Sequence, residues 1–112
     1  VVHYGAFSAF LSGDSEIEEL TYWVDQEVVP DVTLLKAPHH GGADAVTSEF
    51  LERAQPEVVV ISVGVNTYGH PHPEAVQAYE AVADTVMTTR EQGPVTILGY
   101  SDGRYEIRTG GV

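Results

Sequence analysis

Val32-Thr33-Leu34-Leu35-Lys36-Ala37-Pro38-His39-His40-Gly41-Gly42 is the stretch on which the fold turns. Its short, nearly continuous apolar run is what a strand covered on both faces requires, and it predicts a strand over 32–37. Two imidazoles then leave that strand and meet two glycines, which let another backbone or a substrate come close. Two other places share this character. Ser12-Gly13-Asp14 follows Ala9-Phe10-Leu11, and Tyr68-Gly69-His70-Pro71-His72 follows the apolar run 58–63. Four of the five histidines and one acid therefore lie just past apolar strands. In open α/β sheets ligand and catalytic groups gather at that edge, so the pattern predicts a metal or phosphate site there.

Outward from this core, the chain alternates strands and helices. Residues 1–4 and 6–11 read as two strands around Gly5, a hairpin. Ser15-x-x-Glu18 fits a capping box, and Ile17, Leu20 and Val24 form the apolar stripe of the helix it opens. A short helix is expected over 48–54, with Phe50, Leu51 and Ala54 inward. Residues 58–63 are the strongest strand. Pro73 suits the first turn of the next helix, where its missing N–H costs nothing. Val76, Tyr79 and Ala83 form that helix's buried face. Strands over 85–88, 94–100 and 104–109 finish the chain, the last two joined by a Ser101-Asp102-Gly103 turn. This order predicts a layered α/β fold, with helices covering a mixed sheet.

The chain has 112 residues and 43% apolar content, which suits one domain over 1–112. No stretch approaches the ~20 apolar residues of a membrane helix, and no signal peptide precedes the first strand. That start, inside a strand, is expected of a piece of a longer protein. Cysteine is absent, so a transition metal here must be held by imidazole and carboxylate, ligands that suit zinc or manganese. Seventeen acids face five basic residues, and the net charge is −12. Such a chain repels itself unless salt screens it, which points to a salt-loving source, with an ordinary acidic protein as the alternative. The same balance argues against tight nonspecific DNA binding by this segment, since phosphate contacts need clustered Lys and Arg. A Gly-rich phosphate loop, a Walker lysine and a G-x-S-x-G elbow are all missing, which disfavours nucleotide binding and serine hydrolysis.

The candidate residues each carry two readings. Asp14 either favours the dipole of the following helix or bridges two metal ions. His39 and His40 are adjacent, so on an extended backbone they point to opposite sides. Either only one of them is a metal ligand, with the other supporting it or meeting substrate, or they are simply an exposed pair in a loop. Prolines flank His70 and His72 and hold both in place. For His72 the plain reading, a helix N-cap, is preferred; for His70 the functional one is. Asn66 and Tyr68 can add hydrogen bonds to a phosphate. Lys36, the sole lysine, stands at a strand end beside the site. His3 alternates with Val2 and Tyr4 in a strand and reads as structural.

Taken in order, three segments resemble the second half of a metallo-β-lactamase-fold hydrolase. They are similar above all to the soluble domain of ComEC-type DNA-uptake competence proteins. The family's "GD" strand matches Phe10-Leu11-Ser12-Gly13-Asp14. Its "LK-PHHG" segment matches Leu35-Lys36-Ala37-Pro38-His39-His40-Gly41. Its "SVG-N-YGHPHPE" stretch matches Ser62-Val63-Gly64, Asn66 and Tyr68-Gly69-His70-Pro71-His72-Pro73-Glu74. The resemblance implies the C-terminal half of an αββα sandwich and a metal-dependent phosphodiesterase or nuclease. It implies two divalent metal ions, zinc or manganese, in the complete domain, with Asp14 and His39 as ligands here. His40 and His70 would act on the scissile phosphate, while Lys36, Asn66, Tyr68 and His72 would bind substrate. The implied partners are an upstream half of the same domain and a phosphodiester such as DNA, and a homo-oligomer stays open. Family members are attached to a membrane DNA channel or exported. The family's H-x-H-x-D-H motif occurs nowhere in the 112 residues. A noncatalytic binding or assembly module with the same fold is therefore the alternative.

Overall fold

A computed structural model describes residues 1–11, 13, 17–38, 42, 48–63 and 71–110. The elements are β1 (Val2–Tyr4), β2 (Phe7–Leu11), α1 (Ile17–Asp25), β3 (Leu34–Lys36), α2 (Ser48–Ala54) and β4 (Val58–Ile61), followed by α3 (Pro73–Val82), β5 (Thr85–Thr88), α4 (Thr89–Gln92), β6 (Val95–Gly99) and β7 (Tyr105–Thr109). β1 to β5 form one sheet in sequence order. β1 and β2 are antiparallel across a two-residue turn, in which Gly5 takes φ +57°. The remaining pairs are parallel. The sheet is thus mixed and the fold is α/β, as the sequence predicts.

Three crossovers, through α1, α2 and α3, each step one strand in the same direction. Right-handed crossovers that all step one way put every helix on the same face of the sheet. The core follows. Phe10, Leu35 and Val59 share one row of the register and pack with Leu20, Val24, Phe50, Leu51, Ala54, Ala75 and Tyr79 from the helices. Phe10 meets Trp23 at 5.7 Å and the edge of Phe50 at 5.3 Å between ring centroids.

Helix ends obey local rules. α1 closes in a Schellman arrangement: Val28 N–H donates to the Trp23 carbonyl (3.1 Å) and Glu27 N–H to that of Val24 (3.0 Å). Glu27 holds the left-handed position at φ +56°. Gln55 (φ +42°) does the same after α2, ahead of Pro56. α3 starts at Pro73 behind the N-cap residue His72.

Four expectations change. The strand over 32–37 shortens to Leu34–Lys36, because Val32 N–H turns to the Ala54 carbonyl (2.8 Å) and Thr33 is claimed by Ser8 through main chain and side chain. The strand over 58–63 stops at Ile61, where its partner β5 also ends. Immediately after β5 the chain makes the short helix α4, which the sequence reading lacked. Finally, β6 and β7 do not join the main sheet but form a separate two-stranded one. It sits beside the β1–β2 turn: Ala6 N–H donates to the Ser101 carbonyl (2.7 Å), and Gly99 lies so close to the Phe7 ring that a side chain there would overlap it.

Candidate functional site

The parallel register of β2, β3 and β4 decides where the chemistry-bearing segments go. Leu11 is level with Lys36, and Lys36 with Val60. All three strands run the same way, so the segments that follow them start from one edge of the sheet, with neighbouring strands ~4.8 Å apart. Those segments begin with Gly13, Ala37-Pro38 and Ser62-Val63. Asp14, His39, His40, Asn66, Tyr68 and His70 all belong to them and lie outside the described residues. What the structure brings together is the set of strand ends from which these residues follow.

Two of the expected site residues are described. Lys36 is the last residue of β3 and half-buried, on the sheet face away from the helices. His72 is the N-cap of α3, where its Nδ1 accepts a hydrogen bond from Glu74 N–H at 3.3 Å. That bond engages one ring nitrogen and leaves Nε2 as the second polar atom. His3, in β1, is exposed. Among the described residues no group of three or more His, Asp or Glu side chains stands close enough to hold a metal ion.

Beside the strand ends lies an open groove of about 320 Å³, between the sheet and the β6–β7 hairpin. Leu11, Leu34 and Val60 wall one side, Val95 and Ile97 the other, and Lys36, Ser62 and Thr89 supply its polar end. Thr89 is the residue that sequence reading missed. Its hydroxyl accepts from Val63 N–H (2.9 Å) and donates to the Val63 carbonyl (3.0 Å). A signal for it existed. Thr88-x-x-Glu91 is a capping-box spacing, and Thr88 Oγ1 does accept from Glu91 N–H at 3.2 Å.

Charge is distributed unevenly around this edge. Residues 32–43 and 58–73 contain no Asp or Glu, although the chain carries seventeen. They hold instead Lys36 and four of the five histidines. The helices carry much of the negative charge, with Glu18, Glu19, Asp25, Glu49, Glu52, Glu74 and Glu80 among them.

Tyr79 is a different case. It is 1% exposed, beneath α3, and its hydroxyl makes no hydrogen bond among the described residues. Burial pushes its phenol well above the usual range.

No family model matches the chain, and neither a curated protein nor a solved structure is similar to it at a significant level. Among the described residues no helix is long and apolar enough to cross a membrane.

Proposed function

We propose that the chain is the second half of a metallo-β-lactamase-like domain of the ComEC type, a metal-dependent phosphodiesterase or nuclease related to DNA uptake. The observation that supports it is that three neighbouring parallel strands end at one edge of the sheet and lead into the three motif segments, two of which run to residues 43 and 73 without an Asp or Glu. A site of that kind suits an anionic phosphodiester.

The donor set fits a divalent metal in kind. Asp14 offers a carboxylate and His39 an imidazole, and with no cysteine present these are zinc or manganese ligands. It falls short in number, so an upstream half carrying H-x-H-x-D-H is the proposed partner. A bound metal pair supplies an activated water and a clamp on the phosphate oxygens. The chain's own residues do the rest. His40 and His70 stabilise charge on the phosphate and move a proton, and Lys36 attracts the anion. Asn66 and Tyr68 orient it by hydrogen bonds, with His72 beside them.

Hydrolysis of bis(p-nitrophenyl) phosphate and of DNA, measured with manganese and with zinc, tests this. The chain would be assayed alone and joined to the sequence that precedes it in its gene. The expected result is metal-dependent hydrolysis that Asp14→Ala and His39→Ala abolish. Inactivity of the joined protein with either metal sinks the reading. The absence of H-x-H-x-D-H favours a second reading, a noncatalytic assembly module, for which the joined protein binds no stoichiometric metal. The surface charge supports a salt-rich setting, and a thermal midpoint that rises with potassium chloride tests that.

A further inference from the structure

β5 pairs with β4 only as far as Ile61↔Thr88. Val63 lies beyond that ladder, yet it is 8% exposed. Buried main-chain groups need partners, and here one side chain satisfies two of them. The Thr89 hydroxyl accepts from Val63 N–H at 2.9 Å and donates to the Val63 carbonyl at 3.0 Å. It acts as a substitute strand residue at the point where β5 has already turned into α4. Thr89's own carbonyl accepts from Gly93 N–H (2.9 Å), and the residue before it is held twice. Thr88 Oγ1 caps α4 by accepting from Glu91 N–H (3.2 Å), and Gln92 Oε1 accepts from Thr88 N–H (3.2 Å).

We propose that Thr89 is a positioning residue: by holding both main-chain groups of Val63, it sets the heading on which the chain leaves the sheet into the segment carrying Asn66, Tyr68 and His70. The consequence for catalysis rests on the phosphodiesterase reading above; the heading does not. A hydroxyl can accept and donate at a single atom. Serine keeps that capacity, while valine keeps the shape and loses it.

The test compares Thr89→Val and Thr89→Ser with the wild-type chain by NMR. In Thr89→Val the Val63 amide exchanges about tenfold faster or more, and the resonances of Asn66 and the His70 imidazole shift. In Thr89→Ser both signals return to wild-type values. If Thr89→Val does not fold, Thr89→Ala removes the same hydroxyl with less bulk. A Val63 amide as protected without the hydroxyl as with it overturns the proposal, as do unmoved His70 resonances. So does a serine variant that behaves like the valine one. On the joined protein the valine variant lowers kcat with KM within about twofold. A wild type without hydrolytic activity overturns the functional reading alone, because the amide and imidazole signals decide Thr89 independently.

Discussion

Leu35 and Leu11 are the same residue type on neighbouring strands, one register row apart and on opposite faces of the sheet. Leu35 is fully buried beneath the helices, whereas Leu11 is 58% exposed. The contrast is sharpest at β1 and at the ends of β2 and β3, since Ala9 and Val58 on the Leu11 face are themselves buried. On the helix side, every crossover adds apolar side chains to one cluster. The other side presents Val2, Tyr4, Leu11 and Lys36 and is covered by the β6–β7 hairpin only in part. One face thus carries the main core, and the other is continuous with the strand ends from which the candidate residues follow.

Five substitutions measure this division, each read by urea denaturation. Leu35→Ala should cost about 2–5 kcal/mol, the usual range for a fully buried leucine, while Leu11→Ala should stay within about 0.5 kcal/mol. Equal costs would mean that the second face is covered in solution. Gly5→Ala tests the seat of the hairpin. A methyl there runs into the Ser101 carbonyl, on a backbone with φ +57°. A loss of about 2–4 kcal/mol is expected from the clash and the left-handed backbone together; a neutral result would detach the hairpin from the β1–β2 turn.

The two remaining effects are gains, both on the helix side. Tyr79→Phe removes a buried hydroxyl without a partner among the described residues and should stabilise by about 1–2 kcal/mol. pH gives an independent check. Burial raises the Tyr79 phenol above its ordinary value of 10.0, so the folded state holds the proton longer than the unfolded one. The stability linked to it is intact below ~10 and is lost as pH rises beyond, and Tyr79→Phe should flatten that loss. A Phe variant less stable than wild type would show that the hydroxyl has a partner. Glu27→Gly relieves the left-handed position after α1 and removes an acid from a helix C-terminus. The expected gain is about 0.5–1 kcal/mol, and a loss would assign Glu27 a contact of its own.

Local rules made much of this legible. The apolar runs, the Pro73 helix entry and the His72 cap follow from side-chain chemistry within a few residues, and α2 and β5 have the bounds that their patterns imply. The capping spacing at Thr88 was readable too, but a four-residue helix buries no stripe and so leaves no periodic signal. Val32 and Thr33 illustrate the opposite case. Both look like strand, yet Ala54 and Ser8 claim their main-chain groups, and those partners are more than twenty residues away.

The amino-acid order alone establishes the α/β class, the placing of histidines and Asp14 after apolar strands, and the seventeen-to-five excess of acids, because each is a matter of neighbours along the chain. Three-dimensional packing settles which strands adjoin, that all the large helices lie on one face, and that Thr89 meets Val63. Those depend on crossover handedness, register and hydrogen bonds between distant residues, and no local pattern encodes them.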